Sequence, residues 1–284
     1  MQTLSTIAAL RQTIHDWRRS GLKIAFVPTM GNLHDGHLQL VETARRLGDK
    51  VVVSIFVNPT QFGPNEDYAR YPRTEQQDAD KLAAADTDLL FLPAVEEVYP
   101  QSPQTSISVA GLSALHCGAS RPGHFDGVAL VVCKLLNIVQ PDLLLLGEKD
   151  FQQLAVIRRM VADLNIPVHI HGVPTVRESS GLAMSSRNGY LTTEEKSLAP
   201  LLYQALNNVR AAILNGHGDY VGLVTREAQT LQQAGFAIDY FEVSRDTDLL
   251  PADANDTQLV ILIAAKLGKT RLIDNIHFHK NASK

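Results

Sequence analysis

Residues 23–47 read KIAFVPTMGNLHDGHLQLVETARRL, and how this stretch folds decides the rest of the chain. An apolar run ends at Pro28, two glycines follow, and from Leu38 apolar residues recur at helical spacing. The reading is strand, turn, helix. Similar alternation continues downstream, with candidate strands at 23–27, 51–57, 88–92, 142–146 and 168–171. Helical patterns cover 38–47, 75–85, 128–139 and 151–164. Strands that are apolar along their whole length, separated by helices, predict a parallel sheet covered on both faces. That is a Rossmann-like, doubly wound α/β domain whose ligand lies beyond the carboxyl ends of the strands.

The pattern changes near Val176. A polar loop, RESSGLAMSSRNGYL, leads into helical patterns at 193–214 and 220–234, then strand-like runs at 238–243, 259–265 and 270–273. This order predicts a smaller α+β domain. The expected division is residues 1–175 for the first domain and 176–284 for the second. The first twenty residues carry Leu4, Ile7, Leu10, Ile14 and Trp17 at the spacing of one amphipathic helix.

The 284 residues are 45% hydrophobic and 20% charged, an ordinary globular balance, with a net charge of -4. That charge argues against a nucleic-acid or anionic-membrane partner. Cys117 and Cys133 have neither disulfide-framework nor zinc spacing, which fits a reducing cytoplasm. No secretory signal is expected at the N-terminus, and runs such as LVILIAA at 259–265 are too short to span a bilayer.

Four loops follow or precede helices in positions suited to phosphate. In the first, His34 and His37 share one face of a helix N-terminus, where backbone N–H groups and the helix dipole favour an anion. Gly31 and Gly36 allow close backbone approach. The same HxxH spacing also describes a solvated pair or a cap. A metal site is disfavoured, because no third ligand or HExxH helix accompanies it. In NPTQFGPNEDYARYPRT at 58–74, Asn58 and Gln61 offer neutral amides suited to a hydroxyl or a carboxylate, or else form a polar loop surface. In LLLLGEKDFQQL at 143–154, Lys149 can neutralise phosphate and Gln153 lies four residues on, while Glu148 and Asp150 suit the helix dipole. In GLAMSSRNGYL at 181–191, Ser185, Ser186 and Arg187 offer hydroxyl and guanidinium donors. A fifth stretch, SRPGHFDGV at 120–128, supplies Arg121, His124 and Asp126 either as site residues or as a charged helix cap.

Six stretches, FVPTMGNLHDGH, SIFVNPTQFGPNEDYARYPRT, RPGHFDGV, KLLNIVQPD, GEKDFQQL and MSSRNGYL, together resemble the pantothenate synthetase family, the pantoate–β-alanine ligases of coenzyme A biosynthesis. The family is related to the class I aminoacyl-tRNA synthetases. His116-Cys117, before the third stretch, departs from its pattern.

The resemblance implies ATP as substrate with Mg²⁺, a pantoyl-adenylate intermediate, and pantoate and β-alanine as the other substrates. It implies a homodimer. On matching positions it implies catalytic roles for His37, His34, Lys149 and Arg187, with His37 as the acid-type residue. ATP would contact Met30, Gly31, His34, Gly36, His37, Gly147, Glu148, Lys149, Asp150, Val176, Met184, Ser185, Ser186 and Arg187, and pantoate would contact Asn58, Gln61 and Gln153. A nucleotidyltransferase acting on a phosphate ester is disfavoured by the neutral amides. A silent nucleotide-binding module, or an RNA-binding relative, is disfavoured by the complete site inventory and the net charge.

Overall fold

The computed structural model describes residues 1–64 and 66–281. The chain runs β1 (Gln2–Leu4), α1 (Ile7–Arg19), β2 (Ile24–Thr29), α2 (Asp35–Leu47), β3 (Lys50–Ile55), α3 (Glu75–Ala84), β4 (Leu89–Phe91) and α4 (Val95–Val98). It continues through α5 (His116–Ser120), α6 (His124–Val139), β5 (Leu143–Gly147), α7 (Phe151–Asp163) and β6 (His169–Val173). Next come α8 (Thr193–Leu198), α9 (Leu201–Leu214), α10 (Tyr220–Gln233), β7 (Phe236–Arg245), β8 (Gln258–Leu267) and β9 (Thr270–His279).

The first six strands form one all-parallel sheet in the order β1-β4-β3-β2-β5-β6. Alternate side chains explain why both faces are apolar. Phe26, Val52, Leu89, Phe91, Leu144 and Leu146 pack beneath α1, α6 and α7. Their neighbours Val27, Val51, Val53, Leu90 and Leu145 face α2 and α3. Phe26 is fully buried, and burial of a side chain of that size contributes about 1.5–3 kcal/mol. Chain order reverses between β2 and β5: the chain moves outward from β2 through β3 to β4, then returns to the other side of β2. Loops leaving β2 and β5 therefore diverge and open a crevice at the carboxyl edge.

The N-terminal helix is shorter than its apolar pattern predicts. Thr6 caps it by accepting the Ala9 N–H, and Leu4 belongs instead to β1, paired with Phe91. The long helical pattern at 193–214 is two helices, broken where Pro200 has no N–H to donate.

The remaining strands form an antiparallel sheet, β7-β8-β9, packed against α9 and α10. Leu182 and Leu191 already belong to this second core. Strand β9 extends to His279, well past the predicted 270–273. Its continuation, DNIHFH, is too polar to read as a strand, because Asn275 and His277 bond to the first domain and Asp274 to Arg177.

Candidate active site

The turn after β2 is built by backbone conformations that its sequence permits. Gly31 has φ +83° and Asn32 φ +50°, reversing the chain before α2 begins. His34 is the N-cap of α2, with its Nδ1 accepting the Gly36 N–H at 3.2 Å. His37 reaches back, and its Nδ1 accepts the His34 N–H at 3.3 Å. The pair thus forms a capping box from imidazoles in place of the usual hydroxyl and carboxylate, with ring centroids 4.0 Å apart.

These bonds settle the proton positions. Burial pushes the His34 imidazole down to about 4, with the Lys149 ammonium acting in the same direction. Burial pushes His37 down to about 3, helped by His34 and Lys149. Both rings are neutral at pH 7, and since each Nδ1 is an acceptor, each proton sits on Nε2. Among the described residues neither Nε2 has a hydrogen-bond partner, so both N–H groups are available to a ligand. The histidines are caps and donors at once.

Both rings line a cavity of about 230 Å³ over the crevice between β2 and β5. Its wall also holds Met30, Gly36, Asn58, Gln61, Gly147, Lys149, Asp150, Gln153, Val176, Met184, Ser185, Ser186 and Arg187. Fifteen of the residues singled out from the sequence therefore converge, counting His34 and His37. Gly31 and Glu148 do not line it. Gly31 forms the floor of the turn, packed on Ile55 and Asp78. The Glu148 carboxylate turns away and pairs with the His277 Nε2 at 3.1 Å, a contact that lowers the Glu148 pKa and raises that of His277. Lys149, Asp150, Gln153, Ser185 and Arg187 also line an adjoining cleft of about 950 Å³, bounded on its far side by the C-terminal sheet.

The serine-bearing loop is tied to the histidine turn across 154 residues of chain. The Asn32 side chain donates to the Ser186 carbonyl at 3.1 Å, and the Ser186 hydroxyl donates to the Asn32 carbonyl at 3.1 Å. Arg187 makes two bonds to the Asp67 carboxylate, both 3.1 Å, with its guanidinium 5.7 Å from the Tyr71 ring.

The amide wall is built from within. Asn58 is buried, donates to the Gln61 side-chain oxygen at 3.0 Å and to the Gly127 carbonyl at 3.1 Å, and accepts from the Tyr99 hydroxyl. This fixes the Gln61 amide, whose nitrogen lies 3.2 Å from the Met30 sulfur. The turn at Pro59–Gln61 lies directly on α6 at Gly127, where a Cβ would stand 2.2 Å from the Thr60 carbonyl oxygen. Of the candidates at 120–128, Arg121 and His124 line the larger cleft and brace this wall. His124 Nδ1 donates to the Gln61 carbonyl at 2.8 Å, and Arg121 donates to His124 Nε2 while forming a two-point pair with Glu66 at 2.6 Å. Burial, with Arg121 beside it, pushes His124 down to about 4 and keeps it neutral. Asp126 lines neither cavity.

Two residues of α3 had no visible role in the sequence. Asp78 is fully buried, and its carboxylate accepts the Asn32 and Leu33 N–H groups, both at 2.8 Å, and the Thr74 hydroxyl at 3.0 Å. Lys81 donates to the Leu33 carbonyl at 2.6 Å. Together they fix the backbone that carries His34. Their only signal was an acidic residue in a helix first turn, which is also ordinary dipole chemistry. The His116-Cys117 departure lies at the domain contact: His116 Nε2 meets the Leu249 carbonyl at 3.1 Å and the Cys117 thiol meets the Tyr240 hydroxyl at 3.1 Å.

The chain matches the model of the pantoate-beta-alanine ligase family over residues 2–277. It is 55% identical to the pantothenate synthetase of Alcanivorax borkumensis over 277 residues, covering 97% of each chain. The pantothenate synthetase of Methylococcus capsulatus is also 55% identical, over 278 residues and 97% of each. Among solved structures, a pantothenate synthetase from Thermus thermophilus superposes with a TM-score of 0.89 at 47% identity, covering 97% of this chain and 99% of that one. A pantoate-beta-alanine ligase from Francisella tularensis, crystallised with beta-gamma ATP and beta-alanine, gives 0.80 at 38% identity over 97% of both. With its parallel sheet, its histidine-capped turn and its full-length match, this chain belongs to the pantoate–β-alanine ligase family.

Proposed function

We propose that this chain condenses pantoate with β-alanine, driven by ATP, through a pantoyl adenylate. The observation that carries the reading is one cavity with two kinds of wall. Cationic and neutral N–H donors, from His34, His37, Lys149 and Arg187, share it with the neutral amides of Gln61 and Gln153. Donors of the first kind suit a polyphosphate, and amides suit a hydroxy acid.

In the first step a pantoate carboxylate oxygen attacks the α-phosphorus of ATP, and the bond to the bridging oxygen breaks to release pyrophosphate. Both reactants are anionic, so donors aimed at the developing charge lower the barrier most. Lys149 and Arg187 supply fixed positive charge there, and His34 and His37 supply Nε2–H donors. The negative charge of a bound polyphosphate raises the histidine pKa values, which moves His37 toward the acid role. Arg187 must exchange its Asp67 carboxylate for phosphate oxygens. In the second step the β-alanine amine attacks the acyl carbon, the amide forms, and AMP leaves.

Gly147, Val176 and Met184 frame the nucleotide, with Met30, Gly36 and Ser185-Ser186 around its phosphates. Asn58 acts through Gln61. Magnesium accompanies the ATP, with phosphates and water as its main ligands. Asp150 is the carboxylate that the described cavity wall offers to it. Among the described residues, no helix is long and apolar enough to cross a membrane.

Pyrophosphate exchange into ATP tests the order of steps. Exchange is expected with pantoate present and β-alanine absent; AMP release that requires β-alanine, without any such exchange, overturns the adenylate. We assign residues 176–284 as a lid that closes when both first-step substrates are bound, and the working state as a cytoplasmic homodimer. Solution scattering reads both. The mass should be that of two chains and the profile should contract with ATP and pantoate; a one-chain mass removes the dimer, and an unchanged profile removes the lid.

A further inference from the structure

The Lys149 side chain is largely buried, but its ammonium has no close polar partner among the described residues. Its ammonium lies 3.9 Å from Asp150, and no shorter ion pair reaches it among the described residues. Its direction is therefore set by the backbone of the turn at Glu148–Asp150, which precedes α7. That turn is gripped from the other domain. Asn275 of β9 is buried, and its side-chain amide donates to the Glu148 carbonyl and to the Lys149 carbonyl, both at 2.9 Å. One NH₂ group thus satisfies two adjacent carbonyls, which fixes the peptide plane between them as well as its position.

The grip is itself held rigid. Asp274, the preceding residue, accepts the Asn275 N–H at 2.8 Å and pairs with Arg177 through two bonds of 2.6 and 2.9 Å. Arg177 lies on the Tyr203 ring at 3.6 Å and donates to the Gly181 carbonyl at 3.1 Å. Two residues beyond Asn275, His277 pairs with the Glu148 carboxylate. Three consecutive or alternate side chains of one strand therefore clamp both the lysine turn and the start of the serine-bearing loop.

We propose that Asn275 is a positioning residue for Lys149: docking of the C-terminal sheet aims the ammonium into the cavity through these two bonds. Separation of the two sheets breaks both bonds and frees the turn, so a fully aimed lysine exists only in the docked arrangement. The inference rests on the role given to Lys149 above. A displacement of about 1 Å at a catalytic group can cost on the order of a hundredfold in rate.

A double-mutant cycle on the full-length protein tests it, read by pantoate-dependent pyrophosphate exchange. Asn275→Ala is expected to lower the exchange kcat by about tenfold to a hundredfold, with the KM for pantoate changed by less than about twofold. In a Lys149→Ala background the same substitution should cost less than about twofold, because the group it positions is already gone. Asn275→Asp, nearly the same shape without either donor, should reproduce the loss and serves if the alanine variant does not fold. An equal fold-loss in the Lys149→Ala background overturns the inference, as does an Asn275 variant with wild-type exchange. Wild-type exchange by Lys149→Ala alone is a different failure: it removes the lysine from the proposed reaction, and with it the reason for aiming it.

Discussion

His37→Ala is expected to slow the adenylation step by about a hundredfold or more, the scale of losing one positioned donor at a charge-developing centre. The loss has two sources. The ring supplies an Nε2–H to the cavity, and its Nδ1 accepts the His34 N–H, so alanine removes a donor and one of the two bonds of the capping box together. Loss of a helix cap costs about 1 kcal/mol, which is too little to unfold the chain but enough to loosen His34. The measurement is single-turnover formation of the acyl adenylate, with melting curves alongside. An adenylation rate within a factor of about three of wild type would remove His37 from the chemistry. His37→Gln, which restores a neutral donor without the ring geometry, should fall between.

The second large effect is expected at a residue that lines neither cavity. Asp78→Asn leaves one carbonyl oxygen and one amide where a carboxylate now accepts two N–H groups and a hydroxyl. Hydrogen bonds to a charged group contribute about 1.5–3 kcal/mol each, and a buried donor left facing another donor costs about as much again. A destabilisation of about 3 kcal/mol follows, lowering the melting temperature by on the order of 5–10 °C. Exchange activity should fall about tenfold at a temperature where the variant is folded, because the Asn32-Leu33 backbone sets where His34 stands. Calorimetry and exchange kinetics check the two halves separately. A melting temperature within about 1 °C of wild type would show that these bonds do not carry the turn.

The contrast between the two residues shows what a sequence makes legible. His37 announces itself because strand, glycine and histidine fall close together in the chain, and that same stretch forms the turn that places the ring in the cavity. The long parallel strands were readable for a similar reason: a strand covered on both faces must be apolar throughout, and 51–57 or 142–146 cannot be much else. Asp78 carries its meaning across 45 residues, in bonds to backbone atoms that have no sequence signature. Asn275 is harder still, since it sits in a stretch whose polarity concealed that it was a strand. Leu4 fitted a helical stripe and lies in β1, because Thr6 caps the helix after it. Glu148 stands beside Lys149, which lines the cavity, and faces the other way, toward His277. Neighbouring residues in a turn diverge in direction, and sequence spacing alone does not tell which of them looks inward.

The reciprocal bonds between Asn32 and Ser186 also set a timetable. At synthesis rates of about 5–20 residues per second, the 154 residues between them take roughly 8–30 s to emerge. Within that interval Asp78 is made first, so the histidine turn can close on it early, and the parallel sheet is complete only when β6 has followed, shortly before Ser186. The turn's partner loop does not yet exist. The nascent chain therefore passes through a stage in which the histidine side of the cavity can be folded and exposed, and it acquires the serine-loop side only once residues 185–187 have emerged.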